Sequence, residues 1–257
     1  MANWKEYFDG RRVWVTGASS GIGEALVELL GAEGVAVLAS ARRTERLEAL
    51  AAKYPSVSTL PLDISKRSEL GEAVTRAWDQ LGGIDVLVNN AGISQRSFFV
   101  EADPASLERV VEVDLLGTMR LTHAVAARMT TQGSGHLVTV TSMAAKVPPP
   151  RRTAYAAAKA GLHAMFDALR GELEPRGITI SLAVPGYVKT EISHHAVTET
   201  GDEHGRLDEN QAEGHSAESC AREILAGVAA RRREFLVSMS TRLRLALVLR
   251  RVAPGLL

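Results

Sequence analysis

A chain of 257 residues, 46% hydrophobic and 23% charged, is long enough to bury one large core. Thirty basic residues balance thirty acidic ones, which excludes the positive field that draws a protein to nucleic acid and points to a small-molecule partner. Cys220 is the only cysteine, so an intrachain disulfide framework and a cysteine-rich metal site are excluded, and a reducing cytoplasm is the expected compartment.

The opening MANWKEYFDGRR carries charges where a secretory signal needs an apolar stretch, and no run reaches the length of about eighteen apolar residues that marks a membrane span. The expectation is a soluble chain. Short apolar runs then alternate with helical patterns, the signature of repeated βαβ units. Strands are predicted near 12–16, 35–40, 57–62, 84–89, 136–141, 178–183 and 234–238. The expected fold is α/β: one Rossmann-like domain over 1–257, a doubly wound parallel sheet of about seven strands with helices on both faces.

The run TGASSGIG at 16–23 follows the apolar VWV and precedes the amphipathic EALVELLGAEG. It therefore occupies the strand-to-helix turn where a dinucleotide pyrophosphate rests. Gly17, Gly21 and Gly23 permit the tight turn, close approach to phosphate and helix-to-strand packing, while free N–H groups at the helix start receive negative charge. A plain glycine turn has the same composition. After the second strand the chain reads SARRTERLEAL, with Arg42 and Arg43 where a carboxylate would bind an adenosine ribose hydroxyl. Two guanidiniums there suit a 2′-phosphate, so the local charge favours NADP(H) over NAD(H).

Helical spacing returns over 104–131, through Leu107, Val110, Val111, Leu115, Met119 and Leu121, and again over 153–174. Pro148, Pro149 and Pro150 mark the loop before the second of these helices. On that helix Tyr155 and Lys159, four apart, share a face. A free phenol titrates near 10, and activity near neutrality needs roughly 4 kcal/mol of differential stabilisation of the phenolate, the order of energy an adjacent ammonium in a dry cleft supplies. Tyr155 is then the expected general acid and base toward a carbonyl or alcohol, with Ser142 at the end of the preceding strand orienting the substrate oxygen.

With these residues in place, the chain resembles the short-chain dehydrogenase/reductase family from about residue 10 to about 192. TGASSGIG is similar to the family's cofactor loop, implying contacts from Gly17, Ser19, Ser20, Gly21, Ile22 and Gly23. LDIS resembles the segment whose aspartate binds adenine, here Asp63 with Ile64 beside it, and NNAG resembles the turn that brings Asn90, Ala91 and Gly92 to the cofactor. Ser142, Tyr155 and Lys159 match the catalytic serine, tyrosine and lysine, and Lys159 would also bind the nicotinamide ribose. PGYVKT resembles the nicotinamide-holding segment, with Pro185, Gly186 and Val188 near the ring and Thr190 at its carboxamide. One position departs from the pattern: Asp114 stands where many members carry asparagine. The resemblance implies that this residue kinks its helix and takes part in a proton relay; its charge would partly cancel the effect of Lys159 and raise the apparent pKa for activity.

The resemblance also implies subunit pairing through the two long helices, with a tetramer expected over a dimer. The substrate pocket is expected from three loops that include Ser94, Met143 and Tyr187, and their mixture of apolar and basic groups suits a moderately hydrophobic carbonyl compound. His194 to His215, polar and glycine-containing, reads as a mobile substrate lid over about 190–215. Its histidines are too irregularly spaced to predict a metal site, and a metal-independent enzyme is expected. The tail 241–257 combines leucines with four arginines and admits three roles: packing into a neighbouring subunit, lying on an anionic membrane surface, or closing over a greasy substrate. A cofactor-binding regulatory or scaffold protein is the rival reading, opposed by the intact Ser142, Tyr155 and Lys159. A lyase or dehalogenase on the same fold is opposed by the intact glycine run.

Overall fold

The middle of each central strand is mostly apolar, and its two residue parities bury against opposite helical layers. Val13, Val15, Val37, Val86 and Val88 lie in one buried cluster, whereas Trp14, Leu38, Leu87, Leu137 and Ile180 lie in another. Such two-sided burial is what a parallel sheet between helices requires. The computed structural model describes residues 3–256, so residues 1, 2 and 257 of the expected domain lie outside the described residues.

The elements run α1 (Trp4–Phe8), β1 (Arg12–Thr16), α2 (Gly21–Ala32), β2 (Ala36–Ser40), α3 (Thr44–Lys53), β3 (Val57–Thr59), α4 (Arg67–Leu81), β4 (Val86–Asn89) and α5 (Pro104–Val111). A π-helical turn (Glu112–Gly117) leads into α6 (Thr118–Gln132), β5 (Gly135–Val140), α7 (Thr153–Leu173), β6 (Ile178–Pro185), β7 (Val188–Lys189), α8 (Glu209–Ala212), β8 (His215–Ser216), α9 (Ala217–Ala229), β9 (Glu234–Val237) and α10 (Thr241–Val252). Seven strands form one parallel sheet in the order β3-β2-β1-β4-β5-β6-β9, with β7 and β8 as a separate two-stranded piece. The chain reverses direction across the sheet between β1 and β4, and the crevice beyond their C-terminal ends is where this topology places a ligand.

All seven predicted strands are present, and the differences have local causes. β3 ends at Thr59, not 62, because Pro61 interrupts the ladder, although Leu60 and Leu62 still donate to the Ala39 and Ala41 carbonyls at 3.0 Å. The predicted helix over 104–131 is divided by the π-helical turn, which displaces its register once. α1, unforeseen among the charges of the N-terminus, docks through Phe8, fully buried, and through Tyr7, whose hydroxyl hydrogen-bonds His136 Nδ1 at 2.8 Å.

His136 is buried on β5 and uses both ring nitrogens, the second with Ser181 Oγ at 2.8 Å. Burial, together with the positive charges of Arg231 and Arg11, pushes its pKa down to about 3. The folded chain thus holds His136 neutral, while the unfolded chain takes up a proton once the pH falls below about 6.5. The sign follows: this histidine's contribution is present above pH 6.5 and is lost as the pH falls toward 3. Its share of the loss is about 1.4 kcal/mol per pH unit. Denaturant unfolding between pH 7 and pH 4 is expected to show a shallower pH slope in His136→Gln than in the wild type, and equal slopes would refute the assignment.

Candidate active site

The turn after β1 is built by close backbone approaches that only glycine permits. Gly17 has φ +66°, and a Cβ there would lie 2.7 Å from the Ala91 Cα. A Cβ at Gly23 would run into the Gly17 carbonyl and stand 2.5 Å from Asn90 Nδ2. The NNAG turn braces this loop: Asn90 Nδ2 donates to the Thr16 and Gly17 carbonyls at 3.0 and 3.2 Å, and the Asn90 and Ala91 N–H groups donate to Thr16 Oγ1 at 3.1 and 3.2 Å. Ser20, extended at φ −167°, precedes the first turn of α2, so the free N–H groups of Gly21, Ile22 and Gly23 face the crevice.

A cavity of about 280 Å³ opens there, lined by Gly17, Ser19, Ser20, Ile22, Asp63 and Ile64 among others. Arg42 and Arg43 also line it. Arg43 reaches back to the loop, donating from Nε to Ser19 Oγ at 3.1 Å, and pairs with Glu191 across the cleft at 3.4 Å. Asp63 turns one carboxylate oxygen onto the Ser65 N–H and hydroxyl, at 3.0 and 2.7 Å. Burial raises the Asp63 pKa, but these bonds and the Arg42 charge outweigh it and leave the carboxyl below its ordinary range. A nicotinamide dinucleotide fits this donor set: a cradle that side chains would fill, free N–H groups for its phosphates, two guanidiniums for a further phosphate and a carboxylate for adenine.

Pro185 ends β6. Gly186 donates to the Val237 carbonyl at 3.0 Å, Val188 is buried, and the Thr190 methyl stands 2.9 Å from where a Gly21 Cβ would sit. The segment 185–190 therefore faces the glycine loop across the cleft.

Tyr155 and Lys159 share the inner face of α7, with Lys159 Nζ 5.7 Å from the centre of the Tyr155 ring and both side chains buried. Asp114 comes to the same place from the π-helical turn. It is fully buried; one oxygen accepts the Ile93 N–H at 2.7 Å and the other lies 3.2 Å from Lys159 Nζ. Gly92 leaves the space, since a Cβ there would stand 3.1 Å from Lys159 Nζ and 3.2 Å from each Asp114 oxygen. Burial acts against the Lys159 charge, but the Asp114 carboxylate and Tyr155 outweigh it and hold the ammonium pKa above its ordinary value. Burial also raises Asp114, opposed by Lys159 and by the Ile93 N–H. Ser142 follows β5 and caps the short turn Met143–Ala145 by accepting the Ala144 N–H at 3.1 Å, which leaves its own O–H free to donate.

The segment expected to form the lid is held to the body by backbone bonds and ion pairs. Val197 inserts beside Gln95, donating to the Ser94 carbonyl and accepting from the Arg96 N–H, both at 2.8 Å, and its side chain packs with Tyr155 and Ala144. Asp208 anchors the far end through Arg152 and, at 3.2 Å, through Arg96. Of the expected substrate contacts, Ser94 is fully buried beneath this lid with Arg152 on its hydroxyl at 2.8 Å, Met143 is buried, and Tyr187 stands at the rim, 37% exposed. The lid also folds His194, His195 and Glu203 together, with ligating atoms within 4.8 Å of one another. Their irregular spacing did not foretell this convergence; His195 Nδ1 is bonded to Glu203 at 2.8 Å.

Residues 11–201 match the family described as "short chain dehydrogenase". The chain is 34% identical to a "Dehydrogenase/reductase SDR family protein 7-like" from Drosophila melanogaster, covering 98% of this chain and 80% of that protein. It is also 34% identical to a "Dehydrogenase/reductase SDR family member 7B" from Bos taurus, with the same coverage of 98% and 80%. Among solved structures, a short-chain dehydrogenase from Streptomyces avermitilis superposes with a TM-score of 0.82 at 28% identity, over 96% of each chain. A putative gluconate dehydrogenase from Agrobacterium tumefaciens, 23% identical, shares the fold with a TM-score of 0.77 over 89% of this chain and 94% of its own.

Two positioning residues carry no sequence signal. Gln95, buried, accepts the Ala154 and Tyr155 N–H groups at 2.8 and 3.3 Å and so caps the helix that bears the tyrosine, a task ordinarily given to Ser, Thr, Asp or Asn. Asp208 holds the lid by ion pairs of which only the Arg152 and Asp208 side chains are nearly buried. Asp208→Asn keeps the shape but removes the charge. Limited proteolysis within 194–207 is expected to accelerate about tenfold in that variant with the melting temperature little changed, and an unaltered cleavage rate would show that the ion pairs do not hold the lid.

Proposed function

This chain belongs to the short-chain dehydrogenase family, and from that premise we propose that it is an NADP(H)-preferring, metal-independent oxidoreductase acting on a ketone, aldehyde or secondary alcohol. The observation that carries the reading is the convergence of Tyr155, Lys159 and Asp114 at the C-terminal edge of the sheet, beside the glycine cradle. The nicotinamide, when bound, supplies or accepts the hydride. Tyr155 gives its proton to the carbonyl oxygen in reduction and takes it from the alcohol in oxidation. Lys159 favours the phenolate by its charge, and the free O–H of Ser142 donates to the substrate oxygen and holds it in line. The closed lid keeps water from Tyr155, and Val197 must lift from Tyr155 and Ser94 for substrate to enter.

Preference for NADP(H) is supported by Arg42 and Arg43, with no carboxylate at the end of β2. The intact trio argues against the scaffold reading. The mixed apolar and basic surroundings, Phe98 and Phe99 exposed and the Arg151 guanidinium 4.8 Å from the centre of the Phe98 ring, suit a moderately hydrophobic carbonyl compound. Pairing of subunits through α5, α6 and α7 is supported by the exposed Met119 on α6, the half-buried Met165 on α7 and the half-buried Leu115 and Leu116 in the π-helical turn between α5 and α6.

Two experiments test the reading. In the first, NADPH and NADH are titrated by fluorescence and a carbonyl panel is then assayed: Tyr155→Phe is expected to lose about 10²–10⁴-fold in turnover while binding NADPH as the wild type does. Arg42→Ala/Arg43→Ala is expected to weaken NADPH by at least about tenfold and to leave NADH unchanged. Binding of neither nucleotide would overturn the proposal. In the second, the pH profile of alcohol oxidation is compared with that of Asp114→Asn. Removing the carboxylate leaves the Lys159 charge uncompensated, so the profile of the variant is expected to move about one unit toward acid, and an unchanged profile would dismiss the role given to Asp114.

A further inference from the structure

α10 is the one element among the described residues from Thr241 onward that forms a full helix, and none of its side chains is buried. It rests on the body by one face only: Ser240 caps it, accepting the Leu243 N–H at 3.3 Å, and Leu243 reaches Gly186, where a Cβ would stand 2.9 Å from the leucine methyl. Leu243, Ala246 and Leu247 make that inner face and are half-buried. The outer face carries a second apolar stripe, with Leu245, Val248 and Val252 at 58%, 56% and 70% exposure. Their spacing of three and four residues aligns them on one side of the helix.

The charges are arranged around this outer stripe. At 100° per residue, Arg244 and Arg251 fall roughly a quarter-turn to one side of it and Arg242 roughly a quarter-turn to the other. All four arginines of α10 are exposed, none pairs with a carboxylate among the described residues, and 241–257 contains no Asp or Glu. Aliphatic side chains flanked on both sides by unpaired guanidiniums match a surface whose interior is hydrocarbon and whose rim is anionic. A second copy of the same stripe is a poor match, because a two-fold contact of α10 with α10 would bring the arginines of both copies together without a compensating carboxylate.

We propose that α10 docks the protein on an anionic lipid surface, lying in the plane of the interface with Leu245, Val248 and Val252 inserted and Arg242, Arg244 and Arg251 on the headgroups. No helix among the described residues is long and apolar enough to cross a membrane, so the attachment is peripheral. Because Leu243 rests on Gly186 and Tyr187 is exposed beside it, docking brings the segment that follows β6 close to the lipid surface.

The test is co-sedimentation of the full chain with vesicles of phosphatidylcholine alone and of phosphatidylcholine with phosphatidylglycerol, at low and at high salt, with light scattering to give the oligomer mass. Wild type is expected to bind the anionic vesicles at least tenfold more tightly than the neutral ones and to be released by salt. Leu245→Ser/Val248→Ser/Val252→Ser is expected to lose at least tenfold, and Arg242→Gln/Arg244→Gln/Arg251→Gln to lose about fivefold per arginine. Both are expected to melt with the wild type, since no residue of α10 is buried. Tyr155→Phe is expected to bind vesicles unchanged, which separates this proposal from the catalytic one. Failure to bind anionic vesicles at low salt, or equal binding to both compositions, would overturn it. A fall in oligomer mass in the serine variant without vesicle binding by the wild type would also overturn it and assign the stripe to a second copy.

Discussion

The side chains of Lys159 and Asp114 are held 3.2 Å apart where neither reaches water, so that burial raises the Asp114 pKa while the Lys159 charge opposes it. Removing two ions from water costs several kcal/mol each, which their attraction offsets only with good geometry and further hydrogen bonds. Three segments meet that demand. The π-helical turn of 112–117 rotates Asp114 inward, the turn after β4 offers the Ile93 N–H, and Gly92 omits the side chain that would crowd both charges. α7 brings Lys159 from the other side and with it Tyr155, one turn earlier on the same face. The position of Tyr155 is thus set together with the ion pair beside it.

The glycine loop shows the same economy of space in backbone instead of charge. Gly17 and Gly23 let β1, α2 and the NNAG turn approach to distances at which any Cβ would collide, and Asn90 fills the remaining hydrogen bonds of the loop with its own side chain. The cradle is therefore rigid before any ligand arrives, which lowers the ordering cost of binding. Arg43 extends this order to the lid, because one guanidinium touches both Ser19 of the loop and Glu191 after the nicotinamide segment. A ligand phosphate that engages Arg43 competes with Glu191, so the adenosine end of the cleft and the start of the lid are electrostatically linked.

Around this centre the outer segments differ in how they are held. The lid is fastened by backbone bonds at Val197 and ion pairs at Asp208, while α10 touches the body along one face and leaves an apolar stripe uncovered. Only the lid covers Tyr155: its Val197 packs with Tyr155 and Ala144 in one buried cluster.

The sheet, its helices and the residues of the cradle and of the Tyr155–Lys159 pair were legible in the sequence. Each rests on a local pattern: short continuous apolar runs for β1 or β4, four residues for the pair on α7, and a fixed glycine spacing for the loop. The tertiary structure alone decided which distant groups meet. Only the family resemblance brought Asp114 to Lys159, since nothing near it in the chain announces that partner, and a glutamine at 95 gives no sign that it caps α7. Asp208 looks like any surface carboxylate until the lid folds it onto Arg96 and Arg152, and His194, His195 and Glu203 look scattered until the same fold gathers them. The division has a physical reason. Local patterns are dictated by the geometry of neighbouring residues, whereas these contacts depend on the paths of aperiodic loops, which are set only when the whole core has closed around them.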